Sequence, residues 1–386
     1  MQILHISNDF SNTKVHSNLF KRLDKLGIRQ TIFNPIIISR RGTIGCNEFS
    51  ANQTSFIYAD IVKPYHRYVY HIKRRDIFQA LEERVDLKEI DLVNATTLFS
   101  DGGQAYKIHK KYGIPYIVSV RNTDINGFLD KLPNTWVAGY RILSDAKKII
   151  FISKALMSKF ANHKVIKPIL PKIQDKMLLI PNGIDDYYLD HISHNFHGGH
   201  KVIYVGDFSD NKNVKRLCEA VLWLKNEKGL NDVSLTLVGG GKNKTNKIQA
   251  IIDQNPDVFH YTGPVYDKAK LCELYAGHSL FAMPSIHETF GLVYIEALTQ
   301  NLPIIYTKGQ GVDGLFDNTV GEKVNPTSVQ DITNALHAIL MNPYKYSNDN
   351  VDFSLFKWSM IAEKYLELFK SVIDNKSVSK INVHIV

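Results

Sequence analysis

The segment Met283-Pro284-Ser285-Ile286-His287-Glu288-Thr289-Phe290-Gly291-Leu292-Val293-Tyr294-Ile295-Glu296-Ala297-Leu298 is the most informative in the chain. It reads as a strand end at Pro284, a polar loop, and an apolar helix that begins near Gly291. Glu288 precedes the helix, and Glu296 lies about one and a half turns into it. The first amides of a helix have no partner inside it, so the N–H groups of Phe290, Gly291 and Leu292 offer a site for an anion such as a diphosphate. Gly291 removes a side chain where a phosphate must come close. Carboxylates repel phosphate but accept hydrogen bonds from sugar and ribose hydroxyls. The combination suits a nucleotide sugar better than a bare nucleotide.

Three further segments share this chemistry. Val202-Ile203-Tyr204-Val205-Gly206-Asp207 is a strand and a turn, followed by Asn211-Lys212-Asn213-Val214. Lys212 stands where a loop enters a helix, and its ammonium could neutralise a diphosphate leaving group. Leu235-Thr236-Leu237-Val238-Gly239-Gly240-Gly241 ends a strand in a glycine turn without P-loop spacing, so the glycines serve the tight turn itself. Tyr261-Thr262-Gly263-Pro264-Val265 is another strand end, whose backbone could hold a nucleobase edge.

The elements that must position these residues alternate between short β-rich runs and helical patterns, the mark of an α/β fold with parallel sheets. Strands are expected at 2–7, 30–33, 92–95, 116–120 and 148–152, with helices at 14–25, 77–85 and 102–111. After a break the rhythm restarts, with strands at 202–205, 234–238, 258–261, 279–284 and 303–306 and helices at 214–228, 267–275, 293–300 and 329–340. This predicts an N-terminal Rossmann-like domain over 1–190, a linker over 191–200 and a C-terminal one over 201–355, with a ligand in the cleft where they face each other. The linker holds His191, His194, His197 and His200, but Gly198-Gly199 and the lack of a nearby Cys or Glu argue for a plain linker over a metal site.

Composition narrows the class. The 386 residues allow two cores, and no apolar run approaches the ~20 residues of a membrane span. The N-terminal run Met1–Ser7 reads as a strand and not a signal peptide. Cys46, Cys218 and Cys272 are odd in number and far apart, which points to a reducing, cytoplasmic setting. Residues 1–190 hold 28 Lys+Arg against 18 Asp+Glu, whereas 191–386 hold 19 against 20. The excess base includes Lys63-Pro64-Tyr65-His66-Arg67-Tyr68-Val69-Tyr70-His71-Ile72-Lys73-Arg74-Arg75, which suits either a solvated helix face or contact with an anionic membrane surface through the first domain. No nucleic-acid module accompanies it.

Taken together, these residues resemble the family-4 glycosyltransferases of the GT-B fold. The resemblance rests on Glu288 and Glu296, Lys212-Asn213, the Val238–Gly241 turn, Gly263-Pro264-Val265, Pro181-Asn182-Gly183-Ile184-Asp185 and Phe356-Lys357-Trp358-Ser359-Met360-Ile361-Ala362. It implies a last segment, 356–386, that returns as a helix to the first domain. It further implies retaining transfer from a nucleotide diphosphate sugar, UDP-sugar favoured, to a glycan or lipid-linked acceptor in surface polysaccharide or glycoconjugate synthesis. Glu288 would contact the transferred sugar, Glu296 the ribose, Lys212 and the amides after Thr289 the diphosphate, and Val265 the base. Asp207, beside Gly206, departs from an arginine frequent in the family and leaves more of the diphosphate charge to Lys212.

In the first half, Arg121-Asn122 with Asp124 replaces a histidine that many members place against the donor sugar, and which of the three faces the sugar stays open. Ser11, Asn12 and Thr13, with Arg121, border the acceptor side. No Asp-x-Asp pair is present, and the resemblance implies no cofactor and no metal. A degenerate, scaffolding transferase and a nucleotide-sugar 2-epimerase are the alternative readings.

Overall fold

The computed structural model describes residues 1–67, 69–195, 198–240, 245–316 and 318–374. Tyr68, His197, Gly241 and the end of the last segment (375–386) therefore lie outside the described residues. Contacts divide the chain into two compact units. The first is Met1–Ile152, Leu156–Gly183 and the described residues from Trp358 on; the second is Ser153–Ala155 and Ile184–Lys357.

The first unit runs β1 (Gln2–Ile6), α1 (Lys14–Lys25), β2 (Arg29–Ile37), β3 (Thr54–Val62), α2 (Tyr70–Arg84), β4 (Leu92–Ala95), α3 (Gly102–Tyr112), β5 (Tyr116–Ser119), α4 (Trp136–Asp145), β6 (Lys148–Phe151), α5 (Lys154–Ala161), α6 (Leu170–Ile173) and β7 (Met177–Leu179). Its strands are all parallel, in the order β3-β2-β1-β4-β5-β6-β7. β4 and β5 are buried along their whole length, as strands covered on both faces must be. α1 starts where Thr13 accepts the Val15 amide, a side-chain cap for an otherwise unpaired helix N–H.

The second unit contains α7 (Asp186–Asp190), β8 (Lys201–Gly206), α8 (Val214–Lys228), β9 (Ser234–Gly239), α9 (Thr245–Gln254), β10 (Phe259–Gly263), α10 (Lys268–Ala276), β11 (Leu280–Ala282), α11 (Leu292–Thr299), β12 (Ile304–Thr307), β13 (Gly321–Val324) and α12 (Val329–Met341). Its six parallel strands follow the order β10-β9-β8-β11-β12-β13. Each sheet is an α/β Rossmann-type sheet in which the order reverses beside the unit's first strand, between β1 and β4 and again between β8 and β11. The strands β8 and β9 meet closely at Gly206 and Gly239. A Cβ on Gly239, whose φ is 122°, would collide with the Gly206 carbonyl, so the glycine is needed for the approach itself.

The last element among the described residues is α13 (Trp358–Ile373), which belongs to the first unit. Its Trp358, Ile361, Tyr365, Leu368 and Phe369 share a core with Ile3, Phe20, Leu92, Ile117 and Ile150. The elements that the sequence reading did not foresee include β3, an edge strand only partly buried, and the polar edge strand β13. Neither carries the continuous apolar run of a central strand.

Candidate active site

In the second unit β8 and β11 are neighbours at the reversal of strand order, and the loop that leaves each delivers one charged side chain. A 3₁₀ turn over Asp210–Lys212 follows β8, and the loop 283–291 follows β11. Asn211 splices the two: its carbonyl accepts the Ile286 amide (2.7 Å), its side-chain oxygen accepts the His287 amide (3.0 Å), and its side-chain amide donates to the His287 carbonyl (2.9 Å). Asn213 takes the left-handed conformation (φ 60°) that Asn tolerates better than most residues. From there its amide donates to the carbonyls of Pro284 (2.9 Å) and Pro326 (2.7 Å).

Held in this way, Lys212 Nζ lies 2.7 Å from Glu288 Oε2, with the side chains 20% and 12% exposed. Glu288 Oε1 accepts the Thr289 amide at 3.0 Å. Thr289, expected among the donor-binding residues, thus has its amide engaged by the Glu288 carboxylate. Neither Asn211 nor Asn213 is among the residues expected to build the site. The only trace of their role in the sequence is an asparagine on each side of Lys212 at a loop-to-helix junction.

The remaining expected donor residues scatter around this pair. Gly291 sits at φ 81°, and a Cβ there would clash with the Tyr294 ring; α11 begins at the next residue, Leu292. The Tyr294 hydroxyl donates to the Met283 carbonyl (2.5 Å) and ties the helix to the end of β11. Phe290 is buried against Phe356. Glu296 belongs to a different set: its charged neighbours are Asp185 and Lys268, themselves 2.6 Å apart. Burial, reinforced by Asp185 and opposed by Lys268, pushes its carboxyl up to about 7. Asp207 uses Oδ1 to accept the Ser209 amide (2.8 Å), and its carbonyl accepts from the Tyr204 hydroxyl (2.5 Å), so it shapes the turn after Gly206. Val265 lies half-buried beyond β10.

In the first unit the expectations separate further. Asp124 is fully committed to backbone: its oxygens accept the amides of Leu98 (3.1 Å), Phe99 (3.1 Å) and Arg121 (2.9 Å). It staples the loop after β4 to the loop after β5, a structural role that the sequence does not reveal. Arg121 Nε donates to the Thr96 carbonyl (3.2 Å), and Asn122 begins the helical turn that follows. Ser11 donates to Asn34 Oδ1 (2.5 Å), and both line a cavity together with Asn12; Thr13 is occupied in capping α1.

The basic stretch is also redistributed. Lys73 turns inward to the same cavity, and an Arg74 NH2 group donates to the Gly103 carbonyl (2.9 Å). Of these three successive cations only Arg75 stands out, paired with Asp76 at 3.0 Å. The expected cationic face for a membrane therefore does not form from Lys73 and Arg74, because α2 packs them towards the loop after β4 and the start of α3. The described linker histidines go to separate partners: His191 to the Tyr187 carbonyl, His194 to Asp349 and His200 to Asp232. No helix among the described residues is long and apolar enough to cross a membrane.

Comparison with known proteins identifies the fold and the family. Residues 15–187 match the family model "Glycosyltransferase Family 4", and residues 190–352 match "Glycosyl transferases group 1". An uncharacterised glycosyltransferase of Methanocaldococcus jannaschii is 22% identical over 254 residues, 64% of this chain and 65% of that one. The chain spans less than two thirds of the length of the first curated relatives it matches. Sucrose-phosphate synthase from Thermosynechococcus elongatus superposes with a TM-score of 0.69 at 17% identity, over 97% of this chain and all of that one. Anabaena HepE in complex with UDP-glucose does so at 0.65 and 15% identity, over 96% and 100%. With the two family models end to end along it and a Rossmann-type sheet in each unit, the chain belongs to the family-4-type glycosyltransferases of the GT-B fold.

Proposed function

We propose that the chain is a retaining, metal-independent hexosyltransferase. It moves a sugar from a nucleotide diphosphate donor, UDP favoured, to a glycan or lipid-linked acceptor in surface polysaccharide or glycoconjugate assembly. The observation that carries the reading is the Lys212–Glu288 contact at the reversal of the second sheet. It joins one group suited to phosphate and one suited to sugar hydroxyls at the place where such sheets bind ligands. The UDP-glucose complex of the Anabaena neighbour supports the choice of nucleotide.

In this reading the diphosphate takes over Lys212 and the donor sugar's hydroxyls take over Glu288, so the ion pair holds both side chains ready before the donor arrives. The bond between the anomeric carbon and the diphosphate oxygen breaks, and its electron pair leaves with the phosphate. The acceptor oxygen bonds to the same face of the sugar, and its proton passes to the departing phosphate oxygen. Lys212 stabilises the charge that develops on that oxygen, an electrostatic role worth about 10²–10³ in rate where a single such donor has been removed. Glu296 accepts the ribose hydroxyls.

The test is a thermal-shift and product assay with UDP-, GDP- and ADP-sugars and no added metal. Stabilisation by one donor with release of its nucleotide diphosphate is expected. A folded protein that none of them stabilises would end the reading and favour a scaffolding role.

A further inference from the structure

The chain's net charge of +9 is concentrated in one stretch, separate from the basic run at 63–75. Residues 131–176 hold ten Lys+Arg against two Asp, so this stretch alone carries +8. All of it except residues 153–155 belongs to the first unit. It contains α4, α5 and α6, which alternate with β6 and β7 at one end of the sheet.

Side-chain contacts gather the stretch into one surface. Asp130 Oδ1 meets His163 Nε2 (3.0 Å), which sets Lys131 beside the turn after α5. The Tyr140 hydroxyl donates to the Val165 carbonyl (2.8 Å), and the Lys176 ammonium donates to the Ser144 carbonyl (2.5 Å). The helix α4 thus lies along 163–176. Its Gly139, Ile142 and Leu143 are buried, whereas Val137, Arg141 and Ser144, spaced along one helix face, are exposed.

The charge on this surface is uncompensated. Lys131, Arg141, Lys147, Lys164, Lys167 and Lys172 are all exposed, and none makes an ion pair or a side-chain hydrogen bond among the described residues. Of the carboxylates beside them, Asp130 is engaged by His163 and Asp145 by Lys110 (2.7 Å), while Asp175 is exposed. The helix α3, which packs on α4, adds Lys107, Lys110 and Lys111 and no acid. Apolar groups are interleaved with the cations. Val137 is 59% exposed on the same face as Arg141, and Pro168 and Pro171 are exposed between Lys167 and Lys172.

A field of one sign attracts polyanions. A polyanion in solution needs only the cations, whereas a bilayer offers charge at its surface and hydrocarbon beneath it, which suits cations with apolar side chains between them. We infer that this face docks on a membrane containing anionic phospholipid. The lysines and Arg141 meet the headgroup phosphates, and Val137 with the two prolines reaches the acyl boundary. None of these residues belongs to the Lys212–Glu288 site, so the inference does not rest on the donor chemistry.

The experiment mixes the full chain at low salt with vesicles of phosphatidylcholine alone and of phosphatidylcholine with phosphatidylglycerol, and reads bound protein by co-sedimentation. Binding should require the anionic lipid and should be lost in molar salt, where the Debye length is about 3 Å. Lys164→Glu/Lys167→Glu/Lys172→Glu should weaken it about a hundred-fold or more. Val137→Asp adds one opposing charge and removes an apolar contact, and should weaken it about five-fold or more. If the triple variant does not fold, Lys131→Gln/Arg141→Gln/Lys147→Gln tests the same face from α4. Lys21→Glu/Lys25→Glu/Arg29→Glu, at exposed positions on and after α1, changes the net charge as much as the first triple variant and should leave binding nearly unchanged.

No binding to the anionic vesicles, equal binding to phosphatidylcholine alone, full binding by the folded Lys164/Lys167/Lys172 variant, or an equal loss in the α1 variant overturns the inference. So does capture by double-stranded DNA or heparin without capture by vesicles, which would assign the face to a soluble polyanion.

Discussion

At the scale of single residues, Lys212 and Glu288 are held to each other by loops and not by chance proximity. Removing either partner leaves a partly buried charge without its counter-ion. Lys212→Ala and Glu288→Ala should therefore each cost about 1–2 kcal/mol of stability, between the values for exposed and buried pairs. Transfer activity should fall by about a hundred-fold or more. Chemical denaturation read beside product formation checks both, and full activity in either folded variant would exclude the assigned roles.

Glu296 offers a pH test. With its carboxyl pushed up to about 7, it is largely protonated at pH 6 and ionised at pH 8. UDP affinity should rise across that range, since the carboxylate is the better acceptor for ribose hydroxyls, and Glu296→Gln should flatten the curve. The same shift makes the folded chain hold this proton more tightly than the unfolded one. Stability from this group is thus present at low pH and is lost as pH rises from about 4.5 to about 7.

At the scale of elements, the site depends on two backbone positions that few residues tolerate. Gly291→Ala would force a side chain into left-handed backbone and against Tyr294. It should destabilise by more than about 1 kcal/mol and weaken donor binding, because it disturbs the entrance to α11 beside Glu288. Asn213→Ala loses the same backbone tolerance and two hydrogen bonds to the loop carbonyls of Pro284 and Pro326. A loss of about 2–3 kcal/mol is expected. Asn213→Gly should recover the conformational part only, and equal midpoints of urea unfolding for the two variants would refute this division.

At the scale of the molecule, α13 closes the core of the first unit although it is the last element among the described residues. Leu368, fully buried in that core, should cost about 2–5 kcal/mol on truncation to Ala. A chain ending at Lys357 should expose apolar surface in the first unit, detectable as dye binding and lost protection from proteolysis. The same unit should be sensitive to acid. Burial holds His5 and His16 at about 3, far below the usual 6.5. As pH falls below about 6.5 the unfolded chain takes up protons that the folded one refuses, so stability is lost down to about pH 3. A denaturation midpoint that stays flat between neutral pH and pH 4 would contradict this, and His16→Asn should make the slope shallower.

The sequence by itself determined the fold class, the two successive α/β rhythms and the identity of the charged pair. Central strands, helix caps and glycine turns are local signals, and Lys212 and Glu288 each stand at a strand-to-helix junction that periodicity reveals. It also located α1 and α8 with the bounds seen in the structure. Only the tertiary structure decided which polar groups are free to act. Asp124 looked available for chemistry until three amides, two of them 25 and 26 residues earlier in the chain, closed on it. Lys73 looked like part of a cationic face until α2 turned it into a cavity. Asn211 and Asn213 gained their roles only when strand order set the loops after β8 and β11 side by side. A side chain's type is written in the sequence, but its hydrogen-bond partners come from distant segments, and burial by those segments sets its charge and its use.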